Sequence, residues 1–225
     1  MREELKACGR GFGRDKFFDL LRRNDLLIKR KRRFTVTTNS NHAFYKHKNH
    51  LAGKTITAPD QAWVSDITYL KTRDKFLYLS LVTDVYSRKI VGWNVDSSLA
   101  VEGALGAVKM ALKHCSNLTG IVHHSDRGIQ YCCHAYNDLM KAKGVIMSMG
   151  QAGNCYDNAI AERVNGILKD EYLLDSEFLN KEQTIKAVEQ AIYLYNYKRP
   201  HWSLGLQKPA NVYLQKSKKY ENVIN

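Results

Sequence analysis

Proline is scarce in this chain of 225 residues, at 3 positions, which argues against a disordered, linker-like polypeptide. No apolar run approaches the ~20 residues that a bilayer-crossing helix needs, so no segment is expected to span a membrane. The opening stretch MREELKACGRGFGRDKF is charged throughout and lacks the apolar centre of a secretion signal. Cysteine is sparse and odd in number: Cys8, Cys115, Cys132, Cys133 and Cys155 show no CxxC spacing. That set offers neither a disulfide frame nor a zinc knuckle, and it suits a reducing cytoplasm. Negative charge is also short, with 22 Asp and Glu against 35 Lys and Arg.

What is present points to a globular body with a basic arm. The chain is 44% hydrophobic and carries 13 Tyr and 7 Phe, enough to bury a full core. Residues 1–55 hold 15 Lys/Arg and 5 Asp/Glu, whereas the remaining residues hold 20 and 17. Taken alone, the run Lys29, Arg30, Lys31, Arg32, Arg33 is an ordinary solvated face. With the excess concentrated in one segment, a grip on a polyanion such as nucleic acid is the better account. His42, His47 and His50 invite a zinc site, but no nearby cysteine pair completes four ligands, so a polar linker facing DNA is expected there.

The pattern along the chain predicts an α/β protein. GRDKFFDLLRRNDLLIKRKRRF reads as a short amphipathic helix with Phe17, Leu20 and Leu21 at helical spacing. AWVSDITYL and KFLYLSLVTDVYSRKIVGWNV supply three strands rich in β-branched and aromatic residues, the last two joined by a turn near Tyr86–Lys89. An Ala/Leu-rich helix, the short strand LTGIVHHSD, one helix over YCCHAYNDLMKAKG and the strand VIMSM follow. GQAGNCYDN is expected as a mobile loop, capped by Asp157 or Asn158 into a helix, and NKEQTIKAVEQAIYLYNYKRP as a further helix. Three strands followed by alternating helix and strand predict a mixed sheet of five strands flanked by helices.

Two aspartates stand out. Asp66 interrupts an apolar strand and Asp126 ends another, where ligand crevices form in open α/β sheets. Neighbouring carboxylates repel each other unless a cation lies between them, and all-oxygen ligation favours Mg²⁺ or Mn²⁺ over zinc. On the helix after the loop, Asn158, Glu162, Asn165, Gly166 and Lys169 share one face, while Ile160, Val164, Ile167 and Leu168 form the face expected to pack on the sheet. Between Asp66 and Asp126 lie 59 residues, and between Asp126 and Glu162 lie 35.

This arrangement, with a lysine seven residues beyond the glutamate, resembles the DD(35)E signature of retroviral integrases and bacterial insertion-sequence transposases. WVSDITYL, HHSDRGIQY, DNAIAERVNGILKDE and YNYKRPHWSLGLQKPANVY are similar to the second-reading-frame transposase of the IS3 family over roughly residues 55–215. The resemblance implies a ribonuclease-H-like core over residues 56–215, a basic helical segment of helix-turn-helix type over 1–55, and a tail at 216–225. Asp66, Asp126 and Glu162 are then the catalytic residues and the ligands of two Mg²⁺ ions, which Mn²⁺ can replace. Water attack nicks the element at its 3′ ends, and the freed 3′-hydroxyl joins target DNA. Lys169, Asn165, Arg127 and His124, with Lys29–Arg33, are the expected DNA contacts. The implied partners are double-stranded DNA (terminal repeats and target), further copies of the chain and the upstream-frame protein, in a bacterial, nucleoid-associated setting. The retroviral HHCC zinc domain has no counterpart here. A ribonuclease-H-like nuclease without strand transfer, and a DNA-binding subunit without catalysis, are the competing readings.

Overall fold

The computed structural model describes residues 2–27, 42–115, 117–150 and 158–221. The backbone divides into two units, residues 1–36 and 37–225. In the first, α1 (Arg2–Ala7) is followed by α2 (Arg14–Arg23), which buries Phe17 and Leu21 while Leu20 stays exposed. The basic run Lys29–Arg33 lies outside the described residues.

The second unit is built on a five-stranded mixed sheet. β1 (Ala62–Lys71), β2 (Phe76–Asp84) and β3 (Ile90–Asp96) form an antiparallel meander. After α3 (Val101–His114), β4 (Val122–Ser125) pairs parallel to β1, and β5 (Ile146–Met149) pairs parallel to β4. The order is β3-β2-β1-β4-β5, and the sheet is five-stranded and mixed as expected. β1 is central and covered on both faces, and its alternation sorts side chains between two cores. Trp63 joins Val91, Ala107, Ala111 and Met147 beneath α3, whereas Leu70 joins Leu79, Val164, Ile167 and Tyr195 on the other face.

Local chemistry explains two details. α3 lies so close to β3 that a Cβ on Gly92 would sit 2.2 Å from the Ala107 carbonyl oxygen and 2.9 Å from the Ala111 nitrogen. Gly92→Ala is therefore expected to cost about 2 kcal/mol or more, read as a lower urea midpoint of the whole chain. An unchanged midpoint would show that α3 can back away freely. The expected single helix over 131–144 is instead α4 (Ile129–Cys132) and α5 (His134–Ala142), broken by extended backbone at Cys133. Asn137 Nδ2 donates to the carbonyls of Tyr131 and Cys133, and the Cys133 carbonyl also accepts the Asn137 N–H at 3.2 Å.

Residues 42–60, expected as a linker facing DNA, pack against the body. Phe44 lies on the α3 core, while Leu51 and Ile56 cover Ala62, Val64 and Val122. His42 Nε2 donates to the Arg127 carbonyl at 2.9 Å, and His47 Nε2 donates to Asn137 Oδ1 at 2.6 Å. α6 (Ala159–Glu171) and α7 (Lys181–Tyr197) cover the second face. A 3-10 turn at Trp202–Leu204 leads to α8 (Pro209–Glu221), which continues into residues expected as a tail. Tyr213 on α8 donates to Asp60 Oδ2 at 2.6 Å, tying this helix to the start of β1.

Candidate active site

The register of the sheet brings the two aspartates together. β1 and β4 run parallel with Val64 opposite His124. Asp66 and Asp126 each lie two residues further on, so they come level on neighbouring strand paths roughly 5 Å apart. Asp66 is held at both oxygens: Oδ1 accepts the Ile67 N–H at 2.9 Å, and Oδ2 accepts Asn165 Nδ2 at 2.7 Å. Asp126 Oδ1 accepts the Gly128 N–H at 3.0 Å, which turns the chain immediately beyond β4. Glu162 is exposed in the first turn of α6.

Electrostatics link all three acids. Burial pushes the Asp66 carboxyl up to about 7 from an ordinary 3.8; the Asp126 charge adds to this and Glu162 contributes a smaller push, against the bonds from Asn165 and Ile67. A half-buried carboxylate that feels two other acids is an unfavourable arrangement that a divalent cation relieves, and the donors are all oxygen. Among the described residues, no three acidic, histidine or cysteine side chains are gathered as closely as one ion requires. Asp66 and Asp126 lie side by side on the sheet, and Glu162 is exposed on the first turn of α6.

α6 meets the sheet differently from the expected two-faced helix. Its polar face also packs on β1: Asn158 Nδ2 donates to the Ser65 carbonyl at 3.3 Å, and Asn165 reaches Asp66. Lys169 is only 6% exposed, with its ammonium 4.1 Å from the centre of the Tyr69 ring. Asn158 occupies the N-cap position but makes no side-chain cap bond, and Asp157 lies outside the described residues with the rest of the expected loop over 151–157. The helix is wedged between the sheet and α7, so more than one side of it is buried. Asn165 and Lys169 therefore approach the site from within the protein, a correction to the solvent-facing helix side expected for them.

The other expected contacts also separate. His124 is 1% exposed, and its Nδ1 lies 2.9 Å from Ser148 Oγ on β5, which in turn accepts the His50 N–H. It is an interior histidine rather than a surface contact, because it occupies a strand position covered on that face. Arg127 is partly exposed, and its Nε donates to the Gly150 carbonyl at 2.8 Å.

Sequence reasoning missed the polar layer on the opposite face of β1. Ser65 Oγ and the Tyr136 hydroxyl lie 2.8 and 3.1 Å from His123 Nε2. Burial pushes His123 down to about 3, so it is neutral. Tyr131 packs edge-on against Tyr136, and its buried hydroxyl has no hydrogen-bond partner among the described residues. The alternation of Trp63, Ser65 and Ile67 with Val64 and Asp66 was the available signal.

Comparison with known proteins agrees with the fold. A family model described as Integrase core domain matches residues 56–155, and a second model of the same description matches 143–209. A Shigella sonnei protein, the insertion element IS600 uncharacterized 31 kDa protein, is 39% identical over 213 residues, covering 93% of this chain and 78% of that protein. The transposase InsF for insertion sequence IS3A of Escherichia coli K12 is 34% identical over 207 residues, covering 91% and 72%. Among solved structures, the HTLV-2 integrase catalytic core domain in complex with magnesium superimposes with a TM-score of 0.54 at 18% identity, over 69% of this chain and 97% of that one. The fold is accordingly that of the ribonuclease-H-like integrase cores.

Proposed function

The chain belongs to the IS3-family insertion-sequence transposases with an integrase core, and from that premise we propose that Asp66, Asp126 and Glu162 hold two divalent cations with which it cuts and joins DNA strands at the ends of its element. The observation that carries this is the parallel β1–β4 register that brings Asp66 level with Asp126; the Asp66 carboxyl is raised first by burial, then by the Asp126 charge and least by Glu162. Magnesium is the natural ion, with manganese as its substitute, and the HTLV-2 integrase core was solved with magnesium.

Cations bound there supply Lewis-acid stabilisation to the attacking and leaving oxygens of the phosphodiester. The protein's own contribution is placement. Asp66 is fixed on the central strand by the Ile67 N–H and the Asn165 amide, which leaves the remaining lone pairs of both oxygens for ligation. Asp126 is oriented by its turn to Gly128. Glu162, exposed on the first turn of α6, has the freedom to close on the pair. Asn165 is a positioning residue: it acts through Asp66 and not on DNA.

With water as the attacking group, the strand is nicked to leave a 3′-hydroxyl. With that hydroxyl as the attacking group, the same site joins the end to target DNA, and no covalent protein intermediate is needed. Arg127 beside Asp126 and the run Lys29–Arg33 are the phosphate contacts retained by this assignment. The protein is expected to work in the bacterial cytoplasm as several copies on DNA, with the upstream-frame protein as a further partner. Labelled end-sequence DNA incubated with the chain and Mn²⁺ tests the proposal directly. Nicked and joined products together are expected; nicked product alone would indicate a nuclease, and neither product would indicate a binding subunit.

A further inference from the structure

α6 has a second flank. On it, Ile160, Arg163 and Ile167 line an open cavity of about 400 Å³, with Arg88, Arg199 and Trp202 on its other sides. Arg163 directly follows Glu162, so the cavity opens about 100° around the helix from the site acid. Its lining combines apolar side chains with three guanidinium groups.

The charges here are poorly compensated. Arg199 is matched by Glu171, with Nε–Oε2 at 2.6 Å and Nη2–Oε1 at 2.7 Å. Among the described residues no carboxylate lies at ion-pair distance from Arg88 or Arg163. Arg88 Nη1 is buried without a hydrogen-bond partner, an unfavourable state for a charged donor. Its backbone is pinned at a left-handed φ of 63°, with its N–H donating to the Asp84 carbonyl and its own carbonyl accepting the Tyr195 hydroxyl. His201, on the rim, is driven down to about 4 by burial and by the Arg199, Arg88 and Arg163 charges.

Trp202 is 85% exposed, an unfavourable placement for the largest apolar side chain. It does not sit on a fraying end. His201 N–H donates to the Gln207 carbonyl at 2.9 Å, and the His201 carbonyl accepts the N–H groups of Leu204 and Leu206 at 3.0 Å each. A rigid loop thus presents a flat indole beside unpaired guanidinium groups, over an apolar floor. That combination matches one ligand chemistry, an aromatic base joined to an anionic phosphate.

We propose that this cavity receives one nucleotide of a DNA strand, its phosphate on Arg88 and Arg163 and its base stacked on Trp202. The assignment rests on DNA being the substrate of the neighbouring carboxylates. It adds a contact beside α6 that holds the strand while those carboxylates act.

The test uses the full chain and a fluorescein-labelled single-stranded oligonucleotide of mixed sequence, with affinity measured across a salt series. Trp202→Ala should weaken binding roughly 10-fold with little change in salt slope, since stacking carries no counterion. Arg163→Gln should weaken binding and reduce the slope by about 0.7, one phosphate's worth on a single strand. Both side chains are exposed, and unchanged thermal midpoints would establish that the variants fold. Unaltered affinity and slope in both variants would overturn the proposal. So would altered self-association with unaltered DNA affinity, which would assign the cavity to a second copy of the chain. Strand cleavage is scored separately: binding that depends on Trp202 without any cleavage counts against the carboxylate assignment and leaves the cavity's role intact.

Discussion

Asp66→Asn, Asp126→Asn and Glu162→Gln are each expected to lower strand cleavage and strand joining by more than roughly 100-fold, since even groups one shell out from a metal cost 10–100-fold when removed. DNA binding should survive, because phosphate contacts made elsewhere dominate affinity. The three variants should differ in stability. Asp66 is half-buried and costly to ionise, whereas Glu162 is exposed. Asp66→Asn is therefore expected to raise the thermal midpoint of the metal-free protein above pH 7, while Glu162→Gln leaves it unchanged. Cleavage by any of the three at the unaltered rate, in Mg²⁺ or Mn²⁺, removes that residue from the site.

Metal affinity should depend steeply on pH. The Asp66 carboxyl ionises at about 7 in the folded protein against 3.8 ordinarily. Below pH 7 a cation must displace its proton, so apparent Mg²⁺ affinity should fall about tenfold per pH unit, and binding should release a proton. The same shift fixes the sign for stability without metal. The folded state binds this proton more tightly than the unfolded chain does. The stabilisation from this group is complete below about pH 4 and is lost as pH rises through about 7. Added Mg²⁺ should therefore stabilise most at high pH. Asn165 favours the ionised form through its bond to Asp66, so Asn165→Leu should move the break in the affinity curve above 7. A pH-independent Mg²⁺ affinity, by titration calorimetry, would show that Asp66 is not the group being displaced. A break that stays at 7 in Asn165→Leu would show that the amide has no such influence.

Much of this was legible in the chain itself. The strands announce themselves because AWVSDITYL and FLYLSLVTD are dense in residues that fit a covered, pleated surface. Asp66 was conspicuous because a charge in such a strand is costly unless function requires it. The less visible parts were those settled by neighbours distant in sequence. Residues 42–60 looked like a linker because Phe44, Leu51 and Ile56 are spaced too irregularly to announce an element, yet each finds a separate hydrophobic seat. The break at Cys133 is bridged by the Asn137 side chain, which bonds the Tyr131 and Cys133 carbonyls, and no periodicity reveals such a contact. Lys169 looked like a surface cation because the α6 pattern suggested a helix with one wet face; packing between the sheet and α7 buries it against Tyr69.

By itself, the sequence determined the fold class, the family and which acids to examine, because these follow from local patterning and from spacing along the chain. The tertiary structure alone decided that Asp66 and Asp126 come level, through the parallel β1–β4 register, and that Asn165 holds Asp66 from inside the protein. It also decided that Arg88, Arg163, Arg199 and Trp202 share one cavity. Sidedness, burial and charge repulsion arise only between atoms that folding brings together, so spacing in a linear chain carries no record of them.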